Sequence, residues 1–320
     1  MKVAFHNPNV SIRGAFAAMV DYAEFNQSLL GNVSTLFIRR SRAAPYLGQL
    51  AALTRGLPVV MYETLEELGQ EVREFGADFF YEICPGSPHR LPRLPCPIGV
   101  HAIFPHTEFF GDRYRYVSPW LARVMTGRSD LFVPHLVRRY ESRENLRPQL
   151  GIPPGVRVFG RHGGADTFNI PFVHEVVAKH ARKNPGDHFV FLNTQKIAGT
   201  ESLRNVHYLP ATLDPGAKAR FLATCDAMLH ARWHGETFGL AVGEFAVLGK
   251  PVITYADCRE RAHLDLLGGG AISYRGADDL AKILRAFAAV HSPETAYEAF
   301  ADPRLIVEYF QKFILCGEGT

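Results

Sequence analysis

Two glutamates eight residues apart, Glu236 and Glu244, stand in the segment RWHGETFGLAVGEFAVLGKPVITY that runs from Arg232 to Tyr255. A carboxylate accepts two hydroxyl hydrogen bonds at once. Eight residues along a helix axis cover roughly 12 Å at 1.5 Å per residue. The pattern predicts a helix over 238–248, opened by Thr237, Phe238 and Gly239, with Glu244 inside it. The free N–H groups and dipole at such a start favour a phosphate, and Gly239 and Gly243 leave backbone accessible for close approach. Glu244 falls among Leu240, Ala241, Phe245 and Leu248, and a carboxylate on an apolar face needs a partner. The chemistry this suggests is recognition of hydroxyl-bearing groups at both ends of a phosphate, with a hexose and a ribose across one diphosphate matching the span.

The elements that must position these residues alternate along the whole chain. Short apolar runs predict strands at 3–6, 34–38, 59–62, 79–83, 97–104 and 114–117, with helices at 14–30 and 65–75. The stretch RPQLGIPPGVR near residue 150 holds three prolines and two glycines, which is linker chemistry. Beyond it, strands are predicted at 156–159, 189–192, 206–209, 227–230, 252–255 and 271–274, and helices at 171–182, 215–223, 238–248 and 278–290. Strands separated by helices point to parallel sheets with crossover helices. The expected fold is α/β, with two Rossmann-like domains facing across a cleft: 1–148 on the acceptor side, 149–300 on the donor side, and a 301–320 helix packing back toward the first domain. Such sheets bind ligands at the carboxyl ends of their strands.

The spacing Glu236-x7-Glu244, with Thr-Phe-Gly after the first glutamate and Leu-Gly-Lys-Pro-Val-Ile closing the unit, resembles the signature of retaining glycosyltransferases with the GT-B fold, family 4 in particular. The phrase FGRHGGADTFN from Phe159, with FNIPFVHEV continuing it, and the opening segments SIRG, DYAEFN and LGN look like a bacterial and viral glycosyltransferase-like group. That resemblance implies transfer of a sugar from a nucleotide-diphosphate sugar to a glycan, lipid-linked or other hydroxyl acceptor, with retention. By it, Glu236 contacts the transferred sugar and Glu244 the ribose, while the backbone at Phe238, Gly239 and Leu240 approaches the diphosphate. Gly160 and Arg161 match a Gly-Arg pair that faces the phosphates. The resemblance expects a lysine where Asp166 stands, so Arg232 or His162 would supply the second positive charge. Arg13 and Gly14 match a glycine-bearing loop beside the donor phosphates, though its usual glycine pair is missing, and His101, at a strand end, matches an active-site histidine, with His6, His106 and His135 as rivals. Charge building on the leaving diphosphate would be met by cations and helix N–H groups. Two alternatives share the scaffold: a catalytically silent sugar- or nucleotide-binding protein, which Asp166 favours, and a nucleotide-sugar epimerase or hydrolase.

Composition narrows the classes. The chain has 320 residues, 47% hydrophobic and 21% charged, with a formal net charge of +3, which suits globular domains and argues against nucleic acid as a partner. The basic cluster Arg138, Arg139, Arg143 and Arg147 reads as a solvated face. Five scattered cysteines imply no disulfide framework. Cys84, His89 and Cys96 are metal-type residues, but the segment is proline-rich, lacks a nearby fourth ligand and fits no zinc spacing. No convincing Asp-x-Asp loop occurs. No metal and no cofactor are therefore expected, the nucleotide sugar serving as donor substrate. No apolar run reaches the ~18 residues needed to span a bilayer, and the N-terminus runs into a strand and not a signal peptide. A cytoplasmic protein is expected, with membrane contact at most peripheral.

Overall fold

The computed structural model describes residues 1–11, 14–289 and 292–319. The chain forms two compact units, Met1–Leu136 together with the segment from Asp302 onward, and Val137–Ala301. Among the described residues the main strands form two six-stranded, wholly parallel sheets, one in each unit.

Unit 1 contains β1 (Lys2–His6), α1 (Gly14–Ser28), β2 (Val33–Arg39), the short helices α2 (Arg40–Ala43) and α3 (Leu50–Thr54), β3 (Val59–Tyr62), α4 (Leu65–Phe75), β4 (Phe79–Cys84), β5 (Ile98–Ala102), β6 (Arg113–Tyr116) and α5 (Pro119–Thr126). Its helix boundaries have local causes. Thr64 Oγ1 accepts from the Glu67 amide at 3.2 Å to start α4, and Gly76 at φ +67° ends it. Ser118 caps α5 ahead of Pro119. The strand order is β3-β2-β1-β4-β5-β6.

Unit 2 contains β7 (Val158–Arg161), α6 (Pro171–Lys183), β8 (His188–Leu192), β9 (Val206–Leu209), α7 (Pro215–Thr224), β10 (Ala227–His230), β11 (Gly235–Glu236), α8 (Leu240–Ala246), β12 (Val252–Tyr255), β13 (Glu260–Arg261), α9 (Ala262–Leu267), β14 (Ala271–Tyr274) and α10 (Ala277–Ala286). Its sheet runs β14-β12-β10-β7-β8-β9. With the six strands taken in chain order, this is the same 3-2-1-4-5-6 arrangement as in unit 1, the doubly wound Rossmann order. Phe159, Phe189, Phe191 and Ile253, all fully buried, form the centre of its core. The last helix, α11 (Pro303–Tyr309), is capped by Asp302 and packs on α1 in unit 1.

Unit 2 starts at Val137, ahead of the proline-rich stretch near 150. Segment 137–150 is tied into it: the Val137 amide donates to the Phe300 carbonyl at 2.8 Å, and Arg147 pairs with Asp226 at 2.9 Å. Val290, the last residue of the expected 278–290 helix, lies outside the described residues. Among the described residues no helix is long and apolar enough to cross a membrane.

Candidate functional site

In unit 2 the strand order reverses between β7 and β10, and the carboxyl ends of those two strands carry the residues singled out above. Gly160 and Arg161 close β7, His162 follows it, and Arg232 and Glu236 follow His230 at the end of β10. Gly160 is required by packing, because a Cβ there would collide with the Cys225 sulfur. Gly235, at φ +79°, lets β11 lie against β13 where a Cβ would strike the Glu260 carbonyl oxygen.

Glu236 does not precede a helix directly. It sits in β11, and α8 begins only at Leu240, after Gly239 at φ +89°. The two glutamates therefore do not share one helix axis, and the straight-helix span of roughly 12 Å does not apply. The helix is also shorter than the 238–248 expected, ending at Ala246. The positive φ of Gly239 breaks the helical run on its N-terminal side. Thr237 and Phe238 are buried, and the Phe238 carbonyl accepts from the Tyr297 hydroxyl.

Each carboxylate is held against basic groups. Glu236 Oε2 accepts from Arg232 at 2.6 Å, and Oε1 lies 3.3 Å from His230 Nε2. Burial alone would raise its pKa, but the His230 contact and the Arg232 charge outweigh it and bring the carboxyl to about 2. His230 Nδ1 is 2.8 Å from Thr254 Oγ1, which is 3.1 Å from His263 Nε2. His263, buried, is pushed down to about 3 by desolvation, so its imidazole is neutral. The side chain of Glu236 keeps 20% of its surface exposed, enough to meet a ligand.

Glu244, on α8, is the more enclosed, at 8%. Its Oε1 accepts from Lys218 Nζ at 2.6 Å. The other oxygen lies 3.0 Å from His162 Nε2 but in an alignment that makes no hydrogen bond. Burial raises the Glu244 pKa, and Lys218 and His162 more than reverse that. His162 is itself pushed down by burial. Lys218, from α7, also stands 4.4 Å from the Tyr140 ring centroid. The sequence reading named neither Lys218 nor the histidine pair 230 and 263. The cue for Lys218 was its place in the first turns of a helix whose start, Asp214-Pro215, is plain in sequence; nothing local aimed it at Glu244.

Arg161 is 3% exposed and engaged four times, to the carbonyls of Asn193 and Gly164 and the hydroxyls of Thr194 and Thr167. Burial lowers its pKa to about 10, against the pull of Glu236 and Asp166. It braces the 161–167 loop, while the partly exposed cations beside the two glutamates are Arg232 and Lys218.

In unit 1, His101 is fully buried in β5, with Nδ1 2.7 Å from the Tyr81 hydroxyl and Nε2 2.8 Å from the Val133 carbonyl. Desolvation drops it to about 3, so it is a neutral ring with both nitrogens occupied. Gly14 opens α1 and is exposed. Arg13 lies outside the described residues. At the β1/β4 reversal, Glu82 collects two imidazoles on Oε1, His6 Nδ1 at 3.0 Å and His89 Nε2 at 2.9 Å. Cys84 stands two residues along β4. The metal-type group that forms here is Glu82, Cys84 and His89, with Glu82 where the sequence reading had placed Cys96.

No protein-family profile and no curated protein matches this sequence. The fold does match solved structures. HepE from Anabaena, in a crystal structure with UDP-glucose, superposes with a TM-score of 0.70 at 15% identity over 96% of this chain and 97% of that one. A glycosyltransferase from Rickettsia africae gives 0.63 at 10% identity over 97% and 94%. UDP-GlcNAc 2-epimerase from Neisseria meningitidis, bound to UDP-GlcNAc, gives 0.58 at 14% identity over 98% and 100%. The chain thus shares the two-Rossmann-unit α/β fold of these proteins.

Proposed function

We propose that the protein is a glycosyltransferase that takes its sugar from a nucleotide diphosphate, with the donor held at the β7/β10 reversal of unit 2. The observation that carries this is the pair of carboxylates at that carboxyl edge, each set against a partly exposed cation. A nucleotide sugar presents hydroxyls at its two ends and a diphosphate between them, which needs acceptors outside and positive charge inside. Glu236 is assigned to the transferred sugar and Glu244 to the ribose. Arg232 and Lys218 are assigned to the diphosphate, a charge requirement that calls for no metal. Lys218 takes the role that Asp166 cannot fill, and Arg161 supports the loop beneath it. The helix α8 is too short to supply much dipole, so side-chain charge carries the stabilisation of the leaving group.

In the reaction, the bond from the anomeric carbon to the diphosphate oxygen breaks and a bond to an acceptor hydroxyl oxygen forms. The acceptor hydroxyl enters on the face from which the diphosphate leaves and passes its proton to the departing diphosphate oxygen, so configuration is retained. A glycan or lipid-linked hydroxyl is the proposed acceptor class, and the cytoplasm the proposed location. Support comes also from HepE, a structural neighbour crystallised with UDP-glucose. The test is a product analysis with UDP-glucose and UDP-GlcNAc, with and without glycan and lipid-linked acceptors. Acceptor-dependent UDP release with a new glycoside is expected. Release without acceptor, or conversion to an epimeric nucleotide sugar, would overturn transfer in favour of hydrolysis or epimerisation.

A further inference from the structure

The cluster in unit 1 plays no part in that assignment, and its geometry has its own logic. Glu82 and Cys84 are alternate residues of β4, so both side chains project from the same face of the sheet. His89 reaches the same place from the proline-rich loop that follows. One atom from each, a carboxylate oxygen, Sγ and a ring nitrogen, all lie within 4.8 Å of one another. Glu82 is 0% exposed, yet its Oε2 has no hydrogen-bond partner. An unmet buried carboxylate oxygen is costly. The other oxygen is held by His89 Nε2 and by His6, whose Nε2 is in turn 2.6 Å from the Tyr62 hydroxyl. That chain fixes the carboxylate's rotation so that Oε2 stays turned away from His6. It is the arrangement that orients a ligating carboxylate from behind. Burial and the Glu82 charge push the Cys84 thiol well above its ordinary range, against a smaller opposing contact from the Gly86 amide, so a metal must displace the thiol proton as it binds.

From this placement we infer that Glu82, Cys84 and His89 form a binding site for a divalent transition metal, Zn²⁺ by ligand chemistry. One sulfur, one imidazole and one carboxylate make a mixed donor set that suits zinc and excludes magnesium and calcium, which take oxygen. Ligand atoms on a tetrahedral zinc stand about 3.3–3.8 Å apart, so the three groups must draw together, and a metal on His89 Nε2 would replace its contact with Glu82 Oε1. His89 keeps 35% of its surface exposed and opens the site to solvent. Bound metal would tie the 85–97 loop to the end of β4 through His89, with His6 remaining on Glu82 Oε1. The location, at the strand-order reversal of unit 1, is where open α/β sheets hold ligands.

The experiment uses the full chain after chelator treatment and titrates it with Co²⁺, following the thiolate-to-cobalt charge-transfer band, then displaces cobalt with Zn²⁺. Stoichiometric binding with that band is expected. Cys84→Ser should abolish the band, and His89→Gln should weaken binding roughly tenfold or more, while Cys96→Ser changes neither. Circular dichroism confirms that each variant is folded, and zinc should raise the melting temperature of the wild type but not of His89→Gln. Absence of the band in the wild type, or a band and affinity unchanged in His89→Gln, would overturn the inference and leave an ion-paired histidine–glutamate cluster.

Discussion

Replacing Lys218 by methionine leaves the Glu244 carboxylate, the more enclosed of the two glutamates, without its ammonium partner. The ammonium stands 2.6 Å from Glu244 Oε1, and the Glu244 side chain is only 8% exposed. Removing one partner of a buried ion pair costs about 3–5 kcal/mol, because the other charge is left without compensation. Lys218 is 21% exposed, so water already reaches the pair, and the lower end, about 3 kcal/mol, is expected. The variant should also gain a pH dependence. In the wild type, burial and the Lys218 charge both hold the His162 imidazole neutral, 3.0 Å from Glu244 Oε2. Without the ammonium its pKa rises. A folded pKa higher than the wild type's lets the variant recover part of its loss by protonating His162 as pH falls. The deficit should therefore be larger at pH 8 than at pH 6. The assay is urea denaturation in a Trp120→Phe background, so that Trp233 alone reports unit 2. Lys218→Met combined with Glu244→Gln should be less destabilised than Lys218→Met alone, since the buried charge is gone. Equal destabilisation of the two, or a cost for Lys218→Met below about 1 kcal/mol, would refute the claim that this pair is a desolvated ion pair.

Two further outcomes follow from the same structure. Gly235→Ala, at φ +79° and against the Glu260 carbonyl, should destabilise unit 2 by about 1–3 kcal/mol and displace Glu236, read by urea denaturation and by loss of transfer. His101 and His263, each pushed by burial to about 3, have folded pKa values below the ordinary imidazole range, so their contribution is present above about 6.5 and lost as pH falls. Each should cost about 1.4 kcal/mol between pH 7.5 and 5.5 by proton uptake in the unfolded chain. The His263→Asn and His101→Asn variants should flatten that slope, which denaturation at the two pH values measures.

Much of this architecture was legible in the residues. Runs such as VFGR, HFVFL and VITY are apolar and β-branched or aromatic, and intervening helices carry plain caps at Thr64, Ser118 and Asp214. The parallel order followed from the alternation. What was not legible depended on tertiary contact. Glu236 is fixed by β13, a two-residue strand twenty-four positions on whose pairing leaves no local pattern. The helices at 40–54 carry no strong period. Arg161 matches a phosphate-facing arginine in sequence, yet its four acceptors come from loops 163–167 and 193–194 that only folding brings to it. Lys218 and Glu244 are twenty-six residues apart and meet through the packing of α7 and α8. Glu82 escaped notice at the metal-type cluster because a lone glutamate inside FFYEIC reads as an interruption in a strand.

Calorimetric titration of UDP into the full chain tests the proposed donor site most directly. The wild type should bind, with Glu244→Gln weakening UDP at least tenfold, or about 1.4 kcal/mol, and Glu236→Gln leaving UDP affinity within about twofold while abolishing sugar transfer. Binding of UDP that is indifferent to Glu244→Gln, or no binding at all by the folded wild type, would contradict the placement of a nucleotide sugar between these two carboxylates.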